Sequence, residues 1–362
     1  MIPYFFMVLT PAVVSAYLSW KKYDSKRRFQ ITIDCFFVIW LFLLCFRSES
    51  VGVDLTVYKY HFSNYSMISW ETIIKRIIND EIESGFFVLI KLISLFTGSF
   101  RWVIVTCAIV SVIPIWKMYR DENGFGFLTV VMFLNVAPFV MYFSGLRQCL
   151  SMAFVNPCYK SCKEHNWKKF LLFVFLAYLF HRSSLILLFM YPIYHLRFKK
   201  RKYILLLLPL IAGVYVFNVP IFGFLVVFLH SDFYEMYASS IRSNGAYAVL
   251  LLLAVMLIYT YLIPDQEKLD DDMVGLRNLM TFSVFLQVFA GVHTIAMRMN
   301  YFYLLLIPIL MNRIVQIGEP KYKNIVKISR ICMVLFFTLY YFYYAYTDSD
   351  ILQVYPYKSM FF

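Results

Sequence analysis

A carboxylate that closely follows an arginine and a glycine is the first feature of the chain that could do chemistry. Asp54 comes seven residues after Arg47 and two after Gly52, and Tyr58 lies one helical turn further on. Such a carboxylate can act as a general base or orient a hydroxyl nucleophile. Glycine allows a close approach of the backbone at that point. The same residue types are also typical of a solvated turn, so both interpretations stay open here.

A second stretch, Ser144-Gly145-Leu146-Arg147-Gln148, is suited to bind an anion. We expect Ser144 to cap a short helix, so that the first amides of that helix point towards a ligand. An arginine in the first turn adds a planar, permanently charged donor group. The alternative is an arginine at the membrane interface that extends towards lipid headgroups.

Three further sites carry polar residues next to apolar segments. His181-Arg182-Ser183-Ser184 separates two short apolar arms, and Ser183 is predicted to cap the second arm. Histidine can exchange a proton near neutral pH, although a lone histidine is often structural. Arg298 lies between two apolar segments near the end of the chain. Glu83 precedes a short apolar segment, where a carboxylate would also complement the helix dipole.

The composition shows what kind of protein must position these residues. Hydrophobic residues make up 61% of the 362 positions, whereas charged residues make up only 15%. A soluble domain carries about 25% charged residues. The sequence therefore predicts one integral membrane domain over 1–362 with an all-α, polytopic fold, because helices satisfy their own backbone hydrogen bonds in lipid.

The charge distribution predicts how the chain crosses the membrane. Four basic clusters, after residues 20, 159, 196 and 320, are assigned to the cytoplasm by the positive-inside bias, which leaves both termini outside. The first two clusters lie on the same side, so an even number of crossings must separate them, whereas five apolar segments do. The shortest, 86–97, is therefore interpreted as a half-helix that enters and leaves on the outer face. The total is about twelve crossings plus that half-helix. The apolar segments are 2–20, 30–46, 86–97, 101–118, 125–143, 146–159, 169–181, 183–196, 203–217, 246–263, 277–295, 300–315 and 327–346.

This topology places the unusual polar residues on one side of the membrane. The stretch 47–84 becomes an outer loop that carries the candidate carboxylate, and 218–245 becomes a second, interfacial outer loop. Four arginines lie on this outer side, where the positive-inside bias disfavours them. Such a group suits a polyanionic ligand, for example a lipid diphosphate, better than a cation. The four are Arg47, Arg147, Arg182 and Arg298.

The ordered set of motifs resembles the EpsG family of Wzy-like exopolysaccharide polymerases. The resemblance covers nearly the whole chain. It runs through Arg47-x4-Gly52-x-Asp54-x3-Tyr58, Glu83-x-Gly85-Phe86, Gly145-Leu146-Arg147-Gln148, His181-Arg182-Ser183-Ser184 and the tail Pro356-Tyr357-Lys358. The resemblance implies a GT-C-like glycosyltransferase on the outer face of the bacterial cytoplasmic membrane. Such a protein joins oligosaccharide repeat units, carried on undecaprenyl diphosphate, into capsule, O-antigen or exopolysaccharide.

The resemblance also suggests roles for the candidate residues. Asp54, in first place, or His181 would accept the proton of the acceptor hydroxyl, and Glu83 and Arg47 would shape the acceptor side or orient Asp54. Substrate contacts are expected from Arg47, Tyr58, Arg147, Gln148, Arg182 and Arg298, with Arg147 and Arg298 on the departing diphosphate. No cofactor, metal or nucleic acid is expected. The partners are the lipid-linked donor and acceptor and membrane lipid, while binding of a chain-length regulator is left open.

Other functions share part of this pattern. A lipid-linked single-sugar glycosyltransferase is the nearest alternative. A flippase or transporter of the lipid-linked unit would need more polar residues deep in the spans than the sequence carries. A membrane acyltransferase would need a histidine accessible from the cytoplasm, and His181 faces outwards in the predicted topology.

Overall fold

Helices form almost the whole structure, which is a computed structural model. It describes residues 2–228, 245–318, 322–347 and 353–361. Within those ranges there is no strand, and the only extended pairings are two isolated bridges, Arg47 with Ser359 and Pro264 with Gly318. The predicted all-α class is therefore confirmed for the described part of the chain.

The chain divides into two compact units, which are described one at a time. The first unit comprises residues 1–187 together with 331–362. It contains every catalytic candidate. Its helices are α1 (Ile2–Trp20), α2 (Ser25–Phe46), α3 (Leu55–Met67), α4 (Trp70–Ile78), α5 (Ser84–Ser94), α6 (Arg101–Arg120), α7 (Gly126–Val136), a 3₁₀ helix (Val140–Phe143), α8 (Leu146–Met152), α9 (Val155–Lys163) and α10 (Trp167–Phe180).

The second unit comprises residues 188–330. A 3₁₀ helix, Arg182–Phe189, leads into it, and the last long helix returns from it to the first unit. Its helices are α11 (Met190–Tyr194), α12 (Tyr203–Val216), α13 (Asn218–Phe228), α14 (Gly245–Leu262), a 3₁₀ helix (Gln266–Lys268), α15 (Asp271–Ala290), α16 (Thr294–Leu304) and α17 (Ile307–Ile314). The final helix, α18 (Lys323–Thr347), begins in this unit and belongs to the first unit from residue 331 onwards.

Several of these helices are long and apolar enough to cross a membrane. Within the described ranges five helices meet both criteria, namely α1, α2, α6, α15 and α18. Two bent pairs raise the number to seven if each pair is one span: α12 with α13, bent by 74°, and α16 with α17, bent by 46°. The chain is thus a multi-pass membrane protein by length and composition. The predicted count of about twelve crossings exceeds this number and stays a prediction.

Helix breaks explain much of the difference in number. The predicted segment 146–159 is two short helices, α8 and α9, which are separated at residues 153 and 154. Pro157 lies in the first turn of α9, where it has no N–H to bond to the carbonyl of residue 153 and its ring clashes with that carbonyl. The predicted segment 183–196 is a 3₁₀ helix followed by the five-residue α11, which contains Pro192. Both segments are mostly apolar, so hydropathy averaged along the chain does not reveal the breaks.

The stretches predicted as half-helix and outer loops contain defined helices. Helix α5 has 11 residues and is about 16 Å long at 1.5 Å per residue, about half of a hydrocarbon core. That it enters and leaves on the outer face stays a prediction. The predicted outer loop 47–84 contains α3 and α4. The predicted second loop, 218–245, begins instead with α13, and its residues 229–244 lie outside the described part of the chain.

A buried aromatic and aliphatic cluster packs α3, α5, α6 and α8 together in the first unit. Helices α3, α5 and α8 each start within two residues of a polar candidate, so packing these helices also gathers the candidates. The cluster includes Leu55, Tyr58, Phe62, Phe86, Phe87, Ile90, Val103, Ile104, Leu146 and Leu150.

Candidate active site

Glu83 is the centre of a polar cluster at the start of α5. One carboxylate oxygen, Oε2, accepts a hydrogen bond from Nη1 of Arg147 at 2.9 Å. The other, Oε1, lies 2.9 Å from Nδ1 of His181 and accepts the backbone N–H of Arg182 at 3.1 Å. The Glu83 side chain is only 9% exposed, whereas those of His181 and Arg147 are 17% and 35% exposed. Three stretches separated by up to 99 positions are therefore joined at one carboxylate.

A close approach of α5 and α10 brings Glu83 to His181. His181 ends α10, and Gly85 lies in the first turn of α5. A Cβ atom added to Gly85 would lie 2.9 Å from the carbonyl oxygen of Leu179. Any larger residue at position 85 would push the two helices apart. The glycine of the Glu83-x-Gly85-Phe86 motif therefore has a direct packing role next to the candidate site.

The electrostatics of the cluster keep Glu83 ionised. Burial alone would raise the pKa of Glu83, but the hydrogen bond and charge of His181 and the charge of Arg147 outweigh burial and leave this pKa below its ordinary value. Burial likewise opposes the charge of Arg147. The neighbouring Tyr58, Glu83 and Asp54 outweigh it, so the pKa of Arg147 is raised. Arg147 thus interacts with both candidate carboxylates.

Asp54 is held by Ser144 rather than by the helix that it precedes. Ser144 Oγ donates a hydrogen bond to Asp54 Oδ2 at 2.9 Å, and Asp54 N–H donates to the same hydroxyl oxygen at 3.2 Å. The prediction that Ser144 caps the following helix is wrong. The N-cap is Gly145, without a side-chain hydrogen bond, and α8 has only seven residues. The hydroxyl is instead used to fix a carboxylate 90 positions away.

Gly52 makes this arrangement possible by its conformation and by its lack of a side chain. Its φ of +115° is one that other L-residues rarely adopt. A Cβ atom there would lie 2.0 Å from the carbonyl oxygen of Phe143 and 3.2 Å from the Cα of Ser144. The predicted close approach at Gly52 is present in the structure, and its partner is the backbone just before Ser144.

Replacing Gly52 with alanine is expected to displace the Asp54 loop, residues 46–54. A non-glycine residue in a disfavoured φ region costs about 1–3 kcal/mol, and the collision with the Phe143 carbonyl adds to that cost. We expect a lower midpoint of thermal unfolding in detergent and loss of most activity. Gly98→Ala is the matched control, because nothing lies within 4 Å of a Cβ at that position. Equal midpoints for the two variants would contradict the close approach.

Arg47 lies in the protein interior. Its side chain is fully buried, Nη1 donates to the carbonyl oxygen of Leu44 at 2.6 Å, and the guanidinium lies 5.7 Å from the ring of Phe143. Nε and Nη2 have no hydrogen-bond partner among the described residues. Burial lowers the pKa of Arg47 to about 10. The structure thus places the Arg47 side chain among protein groups, with no surface exposed to a substrate.

The remaining substrate-binding candidates of the first unit have protein contacts of their own. Tyr58 is buried with its ring 5.2 Å from that of Phe86, and burial raises its pKa to about 12 although Arg147 lowers it. Gln148 is also buried. The half-exposed Arg182 donates through Nη2 to Oδ1 of Asp80 at 2.8 Å.

Two other predictions concern Ser183 and Arg298. Ser183 does not cap an α-helix: the residues after His181 form a 3₁₀ helix, and Ser183 Oγ has no hydrogen-bond partner among the described residues. Arg298 lies exposed on α16 in the second unit, one turn after His293, which is the N-cap of that helix. The role of Arg298 on the diphosphate stays a prediction.

His61 lies near the charge of Arg147 and is not among the residues that the sequence singles out. It is half-buried on α3, one turn after Tyr58, with its ring 5.4 Å from that of Phe87. Burial and the charge of Arg147 lower its pKa. The signal in the sequence is the spacing of Asp54, Tyr58 and His61, which places all three on one face of a helix. Among the described residues, no group of three or more His, Cys, Asp or Glu could hold a metal ion.

The fold and this cluster together define a class of protein: a multi-pass, helical membrane protein with a partly buried Glu–His–Arg cluster. The chain matches the EpsG family over residues 30–359 and belongs to that family. The family implies a Wzy-like polymerase in exopolysaccharide synthesis, with glycosyltransferase-type activity. No curated protein matches significantly, and no solved structure does.

Proposed function

We propose that the protein joins oligosaccharide repeat units carried on undecaprenyl diphosphate by glycosyl transfer on the outer face of the bacterial cytoplasmic membrane. The product would be a capsule, O-antigen or exopolysaccharide chain. The observation that carries this proposal is the contact of Glu83 with both His181 and Arg147. It combines a group that can accept a proton with a cation that can stabilise a departing anion.

His181 is the proposed general base. When Glu83 accepts a hydrogen bond from protonated Nδ1, the lone pair of Nε2 is left to take the proton of an acceptor sugar hydroxyl. The hydroxyl oxygen then forms a bond to the anomeric carbon of the donor. The bond from that carbon to the diphosphate breaks, and undecaprenyl diphosphate leaves with the electron pair. Neither ATP nor a nucleotide sugar is consumed.

Arg147 is the proposed electrostatic partner of the leaving diphosphate. Its side chain is the most exposed of the three in the cluster, at 35%. Negative charge grows on the diphosphate oxygens as the glycosidic bond breaks, and a fixed guanidinium stabilises that charge more than it stabilises the bound donor. Arg298 is proposed to bind the same group, and Arg182 to bind polar groups of the substrate.

The larger setting is also proposed. Twelve crossings and a GT-C-like arrangement would surround the site with lipid and keep it open to the outside. The four cytoplasmic basic clusters and the arginines outside them support this orientation. The lipid-linked donor and acceptor are the proposed partners, and a chain-length regulator would act on the same polymer.

Asp54→Asn decides whether Asp54 or His181 is the base. Asparagine can still accept the Ser144 hydrogen bond through its carbonyl oxygen, so the loop is expected to stay in place. If Asp54 only positions the loop, activity should fall less than about tenfold, because a neutral–neutral hydrogen bond replaces a charged one. The measurement is the initial rate of polymer formation. A loss of a thousandfold or more would return the base role to Asp54.

The function itself is tested with purified protein in liposomes. The substrate is lipid-linked repeat units extracted from a strain of the same organism that lacks this protein. We expect a ladder of glycans longer than one repeat unit, separated by gel electrophoresis, without added nucleotide sugar. Extension by a single sugar, and only when a lipid-linked monosaccharide is supplied, would indicate the single-sugar glycosyltransferase instead. Movement of the unit across the bilayer without extension would indicate a flippase.

A further inference from the structure

We propose that the C-terminal tail, residues 353–361, positions the Asp54 loop and thereby sets the rate of the reaction. Here the Asp54 loop means residues 46–54. The loop matters for the proposed function because it carries the charge of Asp54, which acts on Arg147, the proposed partner of the leaving diphosphate. The contact of the tail with the loop does not rest on that function. Both segments belong to the first unit, although about 300 positions separate them in the chain.

Backbone hydrogen bonds join the tail to the loop along most of its length. The loop is extended where it leaves α2, and the tail runs antiparallel beside it with Ser359 opposite Arg47. Each bond makes the conformation of the loop depend on the tail, because a buried backbone N–H or C=O group without a hydrogen bond lowers the stability of the folded protein. The bonds are Ser48 N–H to Lys358 C=O at 2.8 Å, Met360 N–H to Phe46 C=O at 2.9 Å and Gly52 N–H to Gln353 C=O at 3.1 Å.

The tail is itself anchored in the core of the unit. Tyr357 Oη donates to the carbonyl oxygen of Leu43 at 3.0 Å, and Tyr4 Oη donates to the carbonyl oxygen of Val354 at 2.6 Å. Val354 is fully buried. Because of these anchors the tail can hold the loop in position.

Gly52 connects the tail to the candidate carboxylate. Its N–H bonds to the tail, while the absence of a side chain lets it lie against the Phe143 carbonyl. Asp54 follows two residues later and is held from the opposite side by Ser144. The loop is thus held between the tail and the 143–144 backbone. Without the tail, only the Ser144 side of this arrangement remains.

The tail also covers Arg47. The residue opposite Arg47 in the tail is Ser359, and Tyr357 lies among the charged and polar neighbours of its guanidinium. Removing the tail would open one side of a side chain that is fully buried in the intact protein. Arg47 and the tail therefore form one supporting layer behind Asp54, and both act through the loop rather than on the substrate.

The test compares two truncations of the full chain. Ending the chain after residue 352 removes every tail contact, whereas ending it after Met360 keeps all of the backbone bonds given above. We expect the first truncation to lower kcat at least about tenfold with a smaller change in KM, because a displaced group slows chemistry even when substrate still binds. The second should retain full activity. The assay is the liposome ladder described above.

A spin label at position 53 measures the position of the loop independently of activity. Val53 is 36% exposed, and Val53→Cys is made together with Cys332→Ser, since Cys332 is an exposed native cysteine. We expect the label to become mobile in the truncation after residue 352 and to stay immobile in the other. A label at Leu171→Cys on α10 should be unchanged in both, which shows that the unit is still folded.

The outcomes separate this proposal from the proposed function. An immobile label at position 53 without the tail, or full activity of the shorter protein, would overturn the positioning role. If the full-length protein makes no polymer, the proposed function fails, while the label still decides the contact. A second variant is used if the shorter protein does not fold: Tyr357→Phe removes only the hydrogen bond to Leu43. This variant should make the label at position 53 mobile and lower kcat about threefold, as expected for loss of one hydrogen bond. No change in either quantity would reject the proposal.

Discussion

Replacing His181 with asparagine is expected to lower polymer formation about a hundredfold to ten-thousandfold, the range that general base catalysis contributes. The asparagine side-chain nitrogen takes nearly the place of Nδ1, so it can keep the hydrogen bond to Glu83 that measures 2.9 Å in the histidine protein. What the variant lacks is a second nitrogen that could accept a proton. The quantity measured is the initial rate of ladder formation at saturating donor and acceptor.

The matched control for this variant is His165→Asn. His165 is exposed, and its φ of +52° is one that asparagine tolerates well. This control should keep full activity and an unchanged unfolding midpoint. If His181→Asn were equally active, His181 would not be the base. An inactive His181→Asn protein with the same midpoint as the wild type would instead separate a chemical role from a structural one.

Glu83→Gln is expected to produce the second large loss, of about a hundredfold. The substitution keeps the size of the side chain but removes the charge that Arg147 and His181 share. Breaking a buried ion pair by neutralising one partner costs about 3–5 kcal/mol, and this pair is partly exposed, so the smaller end of that range applies after screening by solvent. The glutamine amide can also donate to Nδ1 of His181, which favours the tautomer protonated at Nε2 and removes the lone pair that accepts the proton. Both effects should appear in kcat.

Glu81→Gln serves as the control, since Glu81 lies two positions away with a side chain 52% exposed. It should leave the rate within about twofold of wild type, as is usual for exposed ion pairs. If Glu83→Gln polymerised at the wild-type rate, the Glu83 carboxylate would have no role in the mechanism. The contact between α5 and α10 would then be packing alone.

The pH dependence of stability gives a second measurement for Glu83. Because the folded protein lowers this pKa below its ordinary value of 4.5, the ionised carboxylate stabilises the fold, and its contribution is complete above the unfolded value. That contribution is lost as the pH falls through the lower, folded pKa. The difference in unfolding midpoint between wild type and Glu83→Gln should therefore be constant near neutral pH and narrow below pH 4.5. A difference that widens on acidification would contradict the sign of the shift.

The candidate residues could be selected from the sequence because their types are rare in so apolar a chain. Glu83, Arg147 and His181 were chosen as polar exceptions beside apolar segments, and the structure brings these three together. Their pairing could not be predicted. The hypothesis linked Glu83 to Asp54, whereas the structure links Glu83 to His181, because Gly85 lets α5 approach α10.

Local signals were less reliable where a short polar side chain had several partners within reach. Ser144 was expected to cap a helix, yet its hydroxyl bonds to Asp54. Ser, Thr, Asn and Asp can bond to nearby backbone or to a distant side chain with similar energy. Only the fold decides which partner comes within 3 Å. The same limit applies to Arg47, whose complete burial depends on a tail that lies about 300 positions later.

The sequence by itself determined the all-helical class, the membrane setting and the family, because these depend on composition, apolar runs and the order of motifs. A lipid environment leaves a chain of 61% hydrophobic residues few other ways to satisfy its backbone. The tertiary structure alone decided which carboxylate meets which cation and which candidate side chains are buried. Those choices depend on contacts between positions far apart in the chain: 64 positions for Glu83 with Arg147, 90 for Asp54 with Ser144 and 98 for Glu83 with His181. Periodicity along the chain carries no information about such contacts.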